Sequence, residues 1–195
     1  KSLCYQIPAL LREGVAIVVS PLIALMQNQT TALNEIGVRA AVLNSSLSIE
    51  EAGLVEQRLL AGEYDLLYVA PERLLTGRFL HLMTCIPIAL FAIDEAHCIS
   101  EWGHDFRPDY SRISEFRELL GNPLTIALTA TATIEVQKDI IAKLGLKYDQ
   151  IKLFHQGIQR PNLRLETEDV YDENETMVQI ENVIQNYKGS GIIYF

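Results

Sequence analysis

Two adjacent carboxylates, Asp94 and Glu95, follow directly on the apolar run Ile88-Ala89-Leu90-Phe91-Ala92-Ile93, and Ala96-His97 comes next. A run of that length and composition reads as a buried strand. Beyond the carboxyl end of a parallel strand, one carboxylate can hold Mg²⁺, which prefers oxygen ligands. A second carboxylate beside it can polarise a water for attack on phosphorus. A solvated loop pair or a helix cap would use the same dipeptide; the preceding strand favours the chemical reading. His97 could carry hydrogen bonds from such a site to a second one, or be a structural histidine.

A second group follows at once. Ser100 to Tyr110 holds the only Trp of the chain, Trp102, together with His104, Phe106, Arg107 and Tyr110. Aromatic faces stack on nucleobases without reading sequence, and an Arg grips phosphate or stacks. The alternative is a hydrophobic plug under a sheet, although Gly103, Pro108 and the charged neighbours point to an irregular loop. Thr129-Ala130-Thr131-Ala132-Thr133 follows another apolar run. Its hydroxyls could bridge two sites, or Thr131 or Thr133 could cap the next helix, and the cap suits Thr133 best. Ser20-Pro21-Leu22 and Ala70-Pro71-Glu72 each place a Pro just past a strand and open a helix, whose free amides suit phosphate. Lys1-Ser2 has the residue types that end a phosphate-binding loop, a Lys for phosphates and a hydroxyl for Mg²⁺. By itself it is an ordinary polar terminus.

These residues need a scaffold, and the periodicity supplies one. Strands are expected at 15–19, 40–43, 65–69, 88–93 and 124–128, and helices at 21–36, 48–60, 109–120 and 133–144. Gly37 closes the first helix, and Ser48 with Glu51 forms a capping box for the second. Strands alternating with helices predict an α/β fold with a parallel sheet flanked by helices. Residues 156–182 read as a linker or edge element. A helix is expected near Glu175 to Tyr187, and Gly191-Ile192-Ile193-Tyr194-Phe195 reads as the first strand of a second lobe, with no sheet to join.

Composition narrows the class. With 195 residues and 49% hydrophobic content, the chain can build one sizeable core. No apolar run is long enough to span a membrane, and no signal peptide is seen. Cys4, Cys85 and Cys98 show neither disulfide nor metal spacing, so a reducing compartment, cytoplasmic or nuclear, is expected. The net charge of −9 argues mildly against tight nucleic-acid binding. Seven acids of that total lie in residues 165–182, which carry no Lys or Arg, while residues 1–164 hold 15 basic and 18 acidic groups. A local groove is still compatible with that distribution.

In chain order these segments resemble superfamily-two helicases, and the RecQ family specifically. Lys1 to Ala9 is similar to the end of motif I, Val19 to Met26 to motif Ia, and Tyr68 to Arg73 to motif Ib. Asp94-Glu95-Ala96-His97 resembles motif II, and Leu128-Thr129-Ala130-Thr131-Ala132 motif III. Trp102-Gly103-His104-Asp105-Phe106-Arg107 resembles the aromatic-rich loop that separates this family from RNA helicases, and Arg160-Pro161-Asn162-Leu163 its exit from lobe one.

The resemblance implies a RecA-like P-loop NTPase lobe over residues 1–155, a linker or edge segment over 156–182 and the start of lobe two at 183–195. It implies an ATP-dependent 3′ to 5′ DNA helicase that moves on single-stranded DNA and opens partial duplexes in DNA repair or recombination, in the bacterial nucleoid or a nucleus. It assigns Lys1 to the nucleotide phosphates, Ser2 and Asp94 to Mg²⁺, and Glu95 to the hydrolytic water. His97, Thr129 and Thr131 would couple the sites, and Trp102, His104, Phe106 and Arg107 would sense DNA. Glu101 stands where the family usually has Gln, which sets a negative charge beside that loop, and Ile158 stands where Phe is usual. The phosphate-loop glycines, the adenine-reading segment and nearly all of lobe two are expected outside these residues, so negligible ATPase is expected of them alone. An RNA-directed ATPase of the same superfamily, or a non-catalytic remnant, remains an alternative.

Overall fold

The computed structural model describes residues 1–155 and 161–194. Gln156 to Arg160, including Ile158, and Phe195 lie outside the described residues, so the expectations that fall on them are not reached. The chain divides into two compact units, Lys1–Lys152 and Leu153–Phe195.

The first unit is built on five parallel strands: β1 (Val15–Val19), β2 (Ala40–Leu43), β3 (Leu66–Val69), β4 (Ile88–Ile93) and β5 (Thr125–Ala127), in the order β2-β3-β1-β4-β5. Every residue of β1 is buried, because this strand is central and both its faces are covered. Val15, Ile17 and Val19 point into one apolar layer with Phe79, Phe91 and Phe116. Ala16 and Val18 point into the other, with Tyr5, Met26 and Tyr68. The β1–β4 register slips between Val15 and Ala16, and Gly14 just before it takes φ +103° with no room for a Cβ, which would lie 2.4 Å from the Pro87 carbonyl oxygen. Only glycine meets both conditions.

The helices of this unit are α1 (Leu3–Leu11), α2 (Ile23–Glu35), α3 (Ile49–Leu60), α4 (Gly77–Thr84), α5 (Ile113–Leu119) and α6 (Ile134–Lys143). The capping box of α3 is formed: the Glu51 amide donates to Ser48 Oγ at 3.1 Å, and the Ser48 amide donates to Glu51 Oε2 at 2.7 Å. Thr133 caps α6, its hydroxyl accepting from the Val136 amide.

Strand β3 starts one residue later than expected and β5 is one residue shorter at each end, and three expected helix starts change more. Helix α2 starts at Ile23, not Pro21, because the Pro21 carbonyl is turned out to accept from Arg107 instead of from the helix. Pro71 opens only a 3₁₀ turn, Pro71–Arg73, and α4 begins later under a Thr76 cap. The helix expected over 109–120 begins as a 3₁₀ turn, Pro108–Arg112, whose tighter winding carries the fully buried Tyr110, and becomes α-helical from Ile113.

In the second unit, α7 (Glu173–Asn186) is capped by the Asp172 side chain, and none of its residues is buried. Residues 191–194 form no strand, since a lone strand has no partner for its backbone groups. Among the described residues no helix is long and apolar enough to cross a membrane.

Candidate functional site

At the carboxyl end of β4 the ladder continues one residue further, the Asp94 amide donating to the Val19 carbonyl at 2.9 Å. The Asp94 side chain is thereby drawn into the sheet end and is buried. Its Oδ1 accepts the Glu95 amide at 3.0 Å. Burial pushes its carboxyl above the ordinary range; the Glu95 amide opposes that, the Glu95 charge reinforces it and Lys1 offsets part of it. From below, the Tyr110 hydroxyl donates to the Asp94 carbonyl oxygen at 3.2 Å.

Glu95 has a left-handed backbone, φ 46° and ψ 49°, which costs a non-glycine residue about 1 kcal/mol or more. Glu95 Oε1 lies 2.6 Å from Lys1 Nζ, and Oε2 lies 3.3 Å from His97 Nδ1. Lys1 and Ser2 stand at the head of α1. The amides of Cys4 and Tyr5 donate to the Lys1 and Ser2 carbonyls, so the amides of Ser2 and Leu3 have no intrahelical partner. Ser2 Oγ does not cap the helix it opens. Lys1 Nζ thus lies against Glu95 at the end of β4; an ammonium and helix-end amides suit phosphate oxygens, while carboxylates and a hydroxyl suit Mg²⁺.

His97 is the junction of the site. Its Nδ1 lies 3.1 Å from Thr129 Oγ1 as well as near Glu95, and its ring stacks on His104 with centroids 4.2 Å apart. Burial, then the charge of His104, lowers its pKa, which favours the neutral imidazole. Thr129 Oγ1 accepts the Thr131 amide at 3.2 Å, so Thr131 enters through its backbone. The loop at the end of β5 is thus wired to the loop at the end of β4.

The aromatic segment leaves this junction through a buried 3₁₀ turn, Ala96–Ile99. Gly103 lies so close to it that a Cβ there would come 2.4 Å from the His97 carbonyl oxygen. Trp102 is 79% exposed and Phe106 36%, so neither is a plug under the sheet; the residue of this segment that fills that role is Tyr110. Arg107 is held at three points. Its Nε and Nη2 donate to Asp105 Oδ2 at 3.2 and 3.0 Å, its Nη1 donates to the Pro21 carbonyl at 3.1 Å, and its amide donates to the Cys98 carbonyl. The guanidinium beside Asp105 holds that carboxyl below its ordinary range. His97, Cys98 and Asp105 bring metal-ligating atoms within 4.8 Å of one another. The guanidinium, however, already occupies Asp105, and burial raises the Cys98 thiol to about 11, so this group is a hydrogen-bonded link.

Some contacts of the site escaped the sequence reading. Ser100 Oγ donates to Asp139 Oδ2 at 2.6 Å and accepts the Trp102 amide at 3.2 Å. Glu101 pairs with Lys143 Nζ at 2.8 Å, so its charge does not stand bare beside the loop. Tyr5, Gln6, Gln29 and Tyr68 share a hydrogen-bond network that ties α1 to α2 and β3. These partners are 23 to 63 residues apart, and no local pattern announces them.

Residues 1–140 match the family model of the DEAD/DEAH box helicases. The probable ATP-dependent DNA helicase RecS of Bacillus subtilis is 43% identical over all of this chain, which spans 38% of that protein. The ATP-dependent DNA helicase RecQ of the same organism is 46% identical over all of this chain, which spans 32% of it. The chain thus spans about a third of the length of these relatives. In fold it is similar to a hypothetical ATP-dependent RNA helicase from Sulfolobus tokodaii, with a TM-score of 0.54 and 21% identity over 73% of this chain and 41% of that one. The chain belongs to the DEAD/DEAH box helicase family, within its RecQ branch.

Proposed function

We propose that residues 1–155 form the first motor lobe of an ATP- and Mg²⁺-dependent DNA helicase that moves 3′ to 5′ on single-stranded DNA and opens partial duplexes in repair or recombination. Residues 156–182 would connect this lobe to a second one that begins at 183–195. The observation that carries the reading is the convergence at His97 of the carboxylate pair, Thr129 and the aromatic loop, by way of Glu95 Oε2, Thr129 Oγ1 and the stacked His104.

Lys1 and the free amides of α1 would bind the nucleotide phosphates, with Ser2 Oγ and Asp94 holding Mg²⁺. The bound ion would supply charge to phosphate oxygens. Glu95 would orient the attacking water; its second oxygen faces His97, so movement of His97 re-aims it. Trp102 and Phe106 would stack on bases, and Arg107 and His104 would report their arrival to Pro21 and His97.

The test is ATP hydrolysis by the full-length gene product with and without single-stranded DNA. DNA should stimulate hydrolysis, Glu95→Gln should abolish it, and Trp102→Ala should leave hydrolysis that no longer responds to DNA. Unwinding of duplexes with a 3′ tail but not a 5′ tail checks the direction. Hydrolysis that ignores DNA, or that responds better to RNA, overturns the DNA-helicase reading.

A further inference from the structure

Helix α6 grips the aromatic loop at two points one turn apart. Asp139 accepts from Ser100 Oγ, and that same oxygen accepts the Trp102 amide, so one short charge-assisted bond sets the loop backbone under Trp102. Ser100 is fully buried and Asp139 half-buried, which shields this point partly from water. Lys143, four residues on and on the same face of the helix, makes the second contact. Its Nζ pairs with Glu101 and also lies 5.4 Å from the centre of the Phe106 ring, within cation–π range. The ammonium therefore covers one face of a ring that needs an open face to stack on a base.

The two grips differ in strength. Glu101 is 67% exposed, and an ion pair with one partner in water is weak, salt-sensitive and open to exchange. A nucleic-acid phosphate is an anion of the kind that displaces such a carboxylate. Thr133 caps α6 two residues after Thr131, so the helix that holds the loop starts at the segment wired to His97.

We propose that Asp139 and Lys143 are positioning residues for the aromatic loop: Asp139 anchors its backbone, and the Lys143–Glu101 pair closes the face of Phe106 until a DNA phosphate draws Lys143 away. This rests on the reading of the loop as a DNA sensor. Glu101 then works as a threshold that sets how much DNA opens the loop.

Two measurements on the 195-residue chain test the latch. In proton NMR spectra of the free chain, the Lys143 Hε signals should lie upfield, shifted by the ring current of Phe106. They should return to ordinary positions in Phe106→Leu, in Glu101→Gln, and in the wild type on adding oligothymidylate. In DNA titrations, Glu101→Gln should tighten oligothymidylate binding about two- to fivefold, the scale of an exposed ion pair. That gain should shrink in a Phe106→Leu background, because the ring no longer needs uncovering. A gain of equal size in both backgrounds would mean that the charge of Glu101 acts alone, and overturns the latch. So would Lys143 signals that stay put at saturating DNA. If oligothymidylate does not bind at all, the sensor reading itself fails. For the anchor, Asp139→Ala should blunt the fluorescence response of Trp102, the sole Trp, to DNA, and Asp139→Asn, which keeps an acceptor, should restore it. A full response in Asp139→Ala removes Asp139 from the proposal.

Discussion

Replacing Tyr110 by Phe deletes one oxygen from the floor of the candidate site and changes little else. The ring is fully buried, so its packing persists, while the Asp94 carbonyl loses the hydroxyl that donates to it at 3.2 Å. A neutral hydrogen bond contributes about 0.5–1.5 kcal/mol net, and a buried acceptor left unpaired costs about 1–3 kcal/mol. The bond is longer than the usual O–H···O distance, which places the loss at the low end, about 1–1.5 kcal/mol. For a chain of this size each kcal/mol moves Tm by about 2–4 °C, so a fall of about 2–6 °C is expected. Thermal and urea unfolding of the isolated chain followed by circular dichroism measure it, with Tyr110→Ala as the reference for lost packing, at about 3–5 kcal/mol. If Tyr110→Phe leaves Tm unchanged while Tyr110→Ala is severe, the ring alone matters, and the hydroxyl does not support the strand end that carries Asp94.

Phe116 is fully buried between Phe79 and Phe91, with centroids 5.8 and 5.4 Å away, so Phe116→Ala should cost about 3–5 kcal/mol in urea unfolding. Trp102→Ala should leave unfolding within about 0.5 kcal/mol of the wild type, since the ring is largely in water, while DNA binding weakens. The Arg39 guanidinium on Asp65 holds that carboxyl below its ordinary range. A carboxyl depressed in the folded state stabilises above its unfolded pKa, and that stability is lost as pH falls through the folded value. Asp65→Asn should therefore flatten the acid limb of the stability–pH curve, and a limb of unchanged slope would remove Asp65 from its cause.

Much of this architecture is legible along the chain. The apolar runs at 15–19, 40–43 and 88–93 are strands over those same residues, and the Ser48–Glu51 box starts a helix where it stands. Such signals are local: a strand or cap is written in residues that touch within a few positions. Local rules do not decide every element. Pro8 argues against a helix, yet α1 runs through it from Leu3 to Leu11 on a buried face of Tyr5, Gln6 and Ala9, so packing overrides propensity. Gly77 likewise hides the start of α4.

For the site, the types of Asp94, Glu95, His97 and Trp102 and their place after a strand already pointed to phosphate chemistry beside nucleic acid. What the sequence could not contain is the wiring. The left-handed turn at Glu95, the bond from His97 to Thr129 32 residues on, the grip of Arg107 on Pro21 86 residues back and the hold of α6 on the aromatic loop exist only in the folded chain. With β1 and β5 on either side of β4, their trailing loops are brought to one edge of the sheet. Residue types determine which chemistry is available; which of those groups meet is decided by how two apolar layers pack around a five-stranded sheet, a collective outcome that no short stretch of the chain encodes.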